Sequence, residues 1–554
     1  MSAESSDNGK KKNVSRRGFL AGASVFATGL AAAGLTACSP KESGAQAADP
    51  SPSAPEEGAG GATRPEWGLP EFVETADETM EADIVVVGTG MAGFSAALTA
   101  TEQGASVIML EKNPGLGGGT SFAEGLFAIG SPLQEELGIP ADASKMLQAE
   151  FSFQRYVVDS TLWNVVAGNS PEDVRWLMDQ GVEFAELGAG GPAVEIRTQH
   201  LFLEHRGRTA IAALEKKAEE LGVTIRKSAR AVHLLKEGDK VVGVQADAGK
   251  STLNVNARAV VLATGGVGDN QDLINTYTNR NADNMYWCGG PNITGDGIMM
   301  AAEAGMGKPY RIGGPGLGVT VEPFGITSHI GAAAGMQPTN LWVNQNGLRF
   351  FNEDQVRMYT YPLNAIDSQL KTFSVFDQDM YDLYVNEGAV SAFGYYVLAG
   401  EKLTDLESQM EQALSSDNPY VFVADTLEEL AGKMGVPTDA FLSTVEAYNG
   451  SVEEGVDPQF SKDPQFLKPV KTGPFYGCRV KSNLLQWLGG IHVNSNAEVI
   501  QGDGTVIPGL YAAGNDCGGF QGETYGLNIP GSCQGIALGM GRQSGRNAAA
   551  YVGK

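Results

Sequence analysis

Gly88, Gly90 and Gly93, followed by Glu111, are the residues whose spacing most directly implies chemistry. The first two glycines let a backbone turn tightly and approach a pyrophosphate, and the third lets a helix pack closely on the preceding strand. A carboxylate at Glu111, 18 residues beyond Gly93, can accept hydrogen bonds from a ribose. The expected chemistry is the gripping of an ADP-containing dinucleotide. Three elements must position it. Ile84–Val87 is an unbroken β-branched run, the pattern of a parallel strand buried on both faces. A helix over roughly Ala92–Gln103 points its N-terminal amides at the phosphates. A second apolar strand, Val107–Glu111, ends on the acid.

Two further strand exits narrow the dinucleotide to FAD. Ala259–Leu262 reads as a buried strand leaving through Ala263-Thr264-Gly265-Gly266, and Gly509-Leu510-Tyr511-Ala512-Ala513-Gly514 ends another far downstream. A domain for NAD alone needs neither, whereas a long FAD lies across several strand ends. After Glu111, Gly117-Gly118-Gly119-Thr120-Ser121 forms a second glycine loop able to approach the cofactor.

With those residues in place, the sequence from about Ala82 to Lys554 resembles the FAD-dependent flavoprotein family of soluble fumarate reductases, urocanate reductases and 3-ketosteroid dehydrogenases. The resemblance implies an α/β fold: a bipartite Rossmann-like FAD-binding domain with an inserted α+β capping domain. The FAD domain is expected at 81–272 and 475–554, and the cap at 273–474. The first part should hold a helix near Gly207–Leu221 and strands near Val223–Lys236 and Val241–Ala248, with Ala231 passing the adenine. The cap opens at Gly295-Asp296-Gly297, where similar enzymes turn the aspartate toward the flavin, and Leu427–Asn449 reads as an amphipathic helical stretch of its core. The last helix should start near Pro530-Gly531-Ser532, its positive end at the flavin's pyrimidine edge, worth about 0.3–2 kcal/mol toward an anionic reduced flavin. Gly125, Asn515, Cys533 and Gln534 complete the cofactor neighbours that the resemblance implies. The FAD should be non-covalent, because Ser121-Phe122-Ala123 offers no histidine where membrane-bound fumarate reductases and succinate dehydrogenases attach theirs.

The same resemblance supplies catalytic candidates. Val343–Arg357 follows the fumarate reductase pattern V-N-x-x-G-x-R-F-x-N-E-x-x-x-R, which makes Arg357 the candidate proton donor. The alternative is a structural arginine paired with Glu353 one turn away. Three features depart from the family. Its proton-relay glutamate and arginine fall on Ala333 and Met336, and the histidine gripping one carboxylate falls on Gln486. The arginine clamping the other carboxylate falls at Tyr525 or Asn528. A buried dicarboxylate left without these partners is strongly disfavoured, so fumarate is not the expected substrate. Neutral groups stand instead: Trp487, Tyr525, Asn528, Tyr359 and Tyr361. Pro530-Gly531-x-x-x-Gly535 resembles the ketosteroid dehydrogenase ending, in which a tyrosine hydroxyl and a glycine amide polarise a ketone. Tyr525 with the Gly531 amide is the equivalent pair, and Tyr359 is an alternative to Arg357 as proton donor. Each tyrosine taken alone is as readily a packed aromatic.

The 554 residues suit one two-domain enzyme. A net charge of −26 argues against nucleic acid or an anionic membrane surface as ligand. Five cysteines show no C-x-x-C and five histidines are scattered, so no haem, zinc or iron–sulfur motif is read unless distant cysteines converge. At the N-terminus, Lys10–Lys12 and Ser15-Arg16-Arg17-Gly18-Phe19-Leu20 lead into an apolar run rich in Ala and Gly. This looks like a twin-arginine export signal, and Leu35-Thr36-Ala37-Cys38 resembles a lipobox. Residues 1–38 are therefore expected to address the protein outside the cytoplasm, anchored to the membrane only through a lipid on Cys38. Residues 39–80 read as a disordered tether. The leading expectation is a reductase that saturates an activated C=C bond of an enone or arylacrylate, by hydride from flavin N5 and a side-chain proton. A membrane-side cytochrome or quinol would supply the electrons. A dehydrogenase of a ketone or steroid-like substrate and a non-catalytic flavin-binding lipoprotein are the alternatives.

Overall fold

A computed structural model describes residues 69–554, except 189–195, 279, 314–315, 326, 394–395 and 523. The expected signal, the lipobox with Cys38, and the tether as far as residue 68 lie outside the described residues.

The β-branched run Ile84–Val87 sits in the middle of an eight-stranded sheet, its side chains buried. Its strand, Glu78–Val87, is flanked in parallel by Val107–Leu110 and Thr252–Leu262. Thr224–Arg226 extends the sheet on one side and Val506–Ala512 on the other, both parallel, and Glu498–Ile500 closes an edge antiparallel. Register matters more than order here. Val87 pairs with Leu110 and Leu262, and Leu262 pairs with Ala512. The exits at Gly88, Ala263 and Ala513 therefore leave the sheet at one level, the edge where open α/β sheets bind ligands.

Small residues hold the two ends of the chain together. The helices Met91–Glu102 and Ser532–Tyr551 pack so closely that a Cβ on Gly541 or Gly545 would overlap the carbonyl oxygens of Ala92 and Ala96. A side group here would push the last helix off the sheet.

The cap is built on an antiparallel sheet, Leu341–Asn344, Thr372–Asp377, Phe475–Arg479 and Val421–Ala424 in that order. Alternation along its strands feeds two cores: Leu341, Val343, Phe373 and Val375 face one, Trp342 and Phe376 the other. The α/β architecture with an inserted α+β cap is as expected. Among the described residues, no three His, Cys, Asp or Glu side chains converge as metal ligands, and no helix is long and apolar enough to cross a membrane.

Four local expectations need correction. Residues 69–80 are bound to the FAD domain rather than loose: the Val73 amide donates to Gln245 Oε1 at 2.9 Å, and Pro70 O pairs with His233 Nε2 at 2.8 Å. The strand expected over Val223–Lys236 is two strands, Thr224–Arg226 and Arg230–Glu237, because the backbone turns through a left-handed Ser228 (φ 55°) between different partners. Leu427–Asn449 is likewise divided, into Leu427–Met434 and Thr438–Glu454, by a left-handed cap at Gly435 and by Pro437. The return to the FAD domain, expected at Phe475, comes later, because Phe475–Arg479 is an inner strand of the cap sheet.

Candidate active site

At the common level of the strand exits lies a cleft of about 910 Å³, free space counted to its solvent mouth. Fourteen of the expected cofactor neighbours line it: Gly88, Gly90, Ala92, Glu111, Gly118, Gly119, Thr120, Ala231, Ala263, Thr264, Gly265, Asp296, Asn515 and Gln534. Gly93 and Gly266 stand just behind the wall. A Cβ on Gly93 would overlap Gly88 O, and one on Gly266 would overlap Trp487 O, so both serve close backbone packing.

The polar groups of this cleft are held in place before any ligand arrives. Thr89 Oγ1 donates to Glu111 Oε2 at 2.5 Å and the Asn113 amide to Oε1 at 2.8 Å, which fixes the carboxylate at the rim. Thr120 Oγ1 accepts from the Met91 amide and donates to Gln534 Oε1, both at 3.0 Å, tying the second glycine loop to two helix starts. Asp516, which sequence reasoning missed, accepts from the amides of Thr264 and Gly266 at 2.5 and 2.8 Å and pins the second exit. Burial pushes its carboxyl up against the pull of those amides. Burial would also raise Asp296, but Arg230 at 2.7 Å and Lys112 at 2.9 Å outweigh it and hold that carboxyl low. Neither cation was identified from sequence.

Do these residues fit FAD? The first helix begins at Gly90, which has no side chain to cap it, and Thr120 takes only the Met91 amide, so the helix start is suited to a phosphate. Glu111 stands ready for ribose hydroxyls. Asn515 Oδ1 is buried on the lining and has no partner among the described residues, so it calls for a donor from the ligand. The residues present therefore suit the phosphate and ribose of FAD and offer Asn515 Oδ1 to a ligand donor.

A second cleft, about 930 Å³ to its mouth, shares Gly119, Leu485, Gln486 and Gln534 with the first, so the two meet at one wall. Gly125, Gly531, Cys533 and Tyr525 all line it. The Tyr525 hydroxyl oxygen accepts from Ser532 Oγ at 3.3 Å and lies 3.7 Å from Cys533 Sγ. Burial drives its pKa well above the usual tyrosine range. Cap and FAD domain both contribute: Leu317, Cys288 and Tyr396 arrive from the cap, and Phe122 and Glu124 from the chain after the second glycine loop. Burial, then the neighbouring Glu124 carboxylate to which it is hydrogen-bonded, raise Tyr396 as well. No motif in the sequence marks Glu124 or Tyr396.

Arg357 and Tyr359 do not line either cleft. Arg357 is exposed on the turn Glu353–Met358, with its guanidinium 4.8 Å from the centre of the Phe466 ring. It does not take Glu353 as its partner. That carboxylate binds Arg349 at 2.6 Å and Lys462 at 3.5 Å, all three buried in the cap. Tyr359 sends its hydroxyl to Ala392 O at 3.3 Å and packs edge-on against Phe393. Trp487 and Asn528 are buried outside the lining, whereas Gln486 belongs to both clefts.

Known proteins share this arrangement. Residues 83–526 match the family described as FAD binding domain. A vinyl phenol reductase of Lactiplantibacillus plantarum is 37% identical over 479 residues, covering 85% of this chain and 97% of the relative. A flavocytochrome c3 fumarate reductase in its open conformation is 26% identical with a TM-score of 0.61, over 86% of this chain and 79% of that one. The 3-ketosteroid-Δ4-(5α)-dehydrogenase of Rhodococcus jostii RHA1 gives the same identity and TM-score over 86% and 98%. The chain thus belongs to the FAD binding domain family and is an FAD-dependent oxidoreductase.

Proposed function

We propose that this enzyme reduces an activated C=C bond of a small aromatic or apolar substrate held in the second cleft. One observation carries the reading: that cleft abuts the cofactor cleft, presents Tyr525, and has no lysine, arginine or histidine among its described lining residues. A dicarboxylate finds no cationic partner there, while a neutral conjugated alkene does not need one. The vinyl phenol reductase relative, which the chain matches nearly end to end, points the same way.

When bound, FAD supplies the hydride. The chain does the rest. Gly88, Gly90 and the start of the first helix bind its phosphates, Glu111 its ribose, and Asp516 keeps the Thr264–Gly266 turn in place. Leu485 and Gln486 close the wall between the clefts, and Phe122, Leu317 and Leu527 give the substrate an apolar surface. Tyr525 holds its proton at working pH and passes it to the alkene carbon that does not receive the hydride. The flavin is held without a covalent bond, since Ser121-Phe122-Ala123 offers no linking histidine; acid precipitation should leave all of it in the supernatant. Electrons come from a separate membrane-side cytochrome or quinol. Residues 1–38 export the enzyme and Cys38 anchors it, so Cys38→Ser should release it from the membrane.

The deciding test is anaerobic. Purified protein should be yellow, bleach with dithionite, and regain its colour with 4-vinylphenol or methyl vinyl ketone. If no activated alkene restores the colour, the reading is wrong.

A further inference from the structure

The second cleft holds one charged side chain among its described lining residues, Glu124, and it sits opposite in character to what an acid-reducing enzyme needs. Glu124 follows directly on the second glycine loop, at the foot of the strand Gly125–Phe127. It is half-buried, and Tyr396 of the cap reaches it with a hydrogen bond. A carboxylate accepts at about four lone-pair positions, and Tyr396 occupies one. The remaining capacity faces the cleft. A carboxylate there favours a ligand that brings a hydroxyl donor and disfavours one that brings a negative charge.

We propose that Glu124 is the residue that selects the substrate, by accepting the hydroxyl of a phenol conjugated to the reducible alkene, with Tyr396 as the positioning residue that orients it. This rests on the reduction reading given above and specifies its substrate class. The chemistry gives the pair a reason to exist. A para-hydroxystyrene is electron-rich, so its alkene does not accept hydride unaided. Transfer of the phenolic proton to Glu124, as Tyr525 protonates the terminal alkene carbon, breaks the O–H bond and sends its electron pair through the ring. The product is a neutral quinone methide, electrophilic at the benzylic carbon. Hydride adds there, the ring becomes aromatic again, and Glu124 returns the proton to the oxygen. Tyr525 is reprotonated from solvent. The substrate gains one hydride and one proton, and Glu124 ends as it began.

The test compares dithionite-reduced holoenzyme reoxidised by 4-vinylphenol, by its methyl ether 4-methoxystyrene, by 4-hydroxycinnamate and by methyl vinyl ketone. A site built to bond a hydroxyl rejects the analogue lacking it, so 4-vinylphenol should outrun the methyl ether by about 100-fold or more. The cinnamate, which carries a carboxylate, should be slower than 4-vinylphenol. Glu124→Gln should reduce the 4-vinylphenol rate by about 100-fold and leave methyl vinyl ketone within about 3-fold. Tyr396→Phe should raise KM for 4-vinylphenol with a smaller change in kcat. Binding gives a second readout: titration of oxidised holoenzyme should show 4-ethylphenol binding at least about 10-fold tighter than 4-ethylanisole, a preference lost in Glu124→Gln. Equal rates for the phenol and its ether, or an unchanged phenol rate in Glu124→Gln, would overturn the assignment while turnover of methyl vinyl ketone keeps the reduction reading intact. Failure of every alkene would remove both.

Discussion

The two clefts share a wall and little else. The cofactor cleft is made by backbone: glycines that permit close approach, helix starts that present amides, and carboxylates already engaged by Thr89, Lys112, Arg230 and main-chain donors. The substrate cleft is made by side chains drawn from the second glycine loop, the cap and the start of the last helix. The first can serve any enzyme that needs FAD. The second decides which alkene is reduced. Damage to one should therefore empty the protein of colour, and damage to the other should leave it yellow and slow.

The largest effect should come from the cofactor side. Gly93→Val places a branched side chain where even a Cβ overlaps the Gly88 carbonyl, so the helix cannot close on the phosphate turn. The variant is expected to purify colourless, with FAD affinity lowered by at least about 100-fold; each tenfold step corresponds to about 1.4 kcal/mol. A yellow Gly93→Val protein of normal stoichiometry would mean that the turn is more forgiving than its packing implies. On the substrate side, Tyr525→Phe should retain full flavin and lose about 10²–10³ in kcat, the usual cost of one positioned donor. Stopped-flow reoxidation separates the two outcomes. A Tyr525→Phe protein as fast as wild type would move the proton to another group in the cleft.

A third, smaller effect lies beneath the substrate cleft. Glu150 is fully buried under the loop that carries Tyr525, and Gln154 Nε2 joins its carboxyl at 2.9 Å to Gln521 Oε1 and Thr524 O. Burial pushes Glu150 up to about 7, against the hydrogen bonds of Gln154 and Asn528. Its pKa is raised on folding, so its contribution to stability is fully present below the unfolded value near 4.5 and is lost as pH rises toward 7. The loss amounts to about 3 kcal/mol at most. Glu150→Gln should match wild type in denaturation at pH 5 and exceed it at pH 8. A difference that does not change with pH would rule out this titration.

The same contrast explains what the sequence discloses. Gly88, Gly90, Gly93, Glu111 and the exits at Ala263 and Ala513 are local patterns, because each glycine answers to a neighbour a few residues away or to a strand end. The register that aligns those exits follows from three apolar strands. Asp516 and Arg230 left no such trace, since each acts on a partner far along the chain, Thr264 and Asp296. Tyr396 is harder still. Nothing near it in sequence suggests chemistry, and only the packing of the cap brings it to Glu124. The strand break at Ser228 has no glycine or proline to mark it, and the helix break at Gly435 and Pro437 lies inside a stretch whose amphipathic pattern reads as continuous.

Arg357 is where pattern and geometry part, and its removal should have the smallest effect. The fifteen-residue pattern ending at Arg357 resembles the one that delivers a proton in fumarate reductases, yet the pattern's other charged residues work here as cap structure. Arg349 and Glu353 form a buried ion pair with Lys462 and Asp457 around them, which accounts for the spacing without any catalytic role. Arg357 itself lies on the surface against Phe466, a contact worth about 0.5–1 kcal/mol. Arg357→Gln should therefore change the reoxidation rate by less than about 3-fold, a loss of no more than about 0.7 kcal/mol from the barrier. A 100-fold loss with the flavin retained would carry a different meaning. The cap would then have to swing during turnover far enough to bring that guanidinium over the alkene, and the substrate cleft would be a moving assembly rather than the fixed one whose walls are formed by Tyr525, Glu124 and Tyr396.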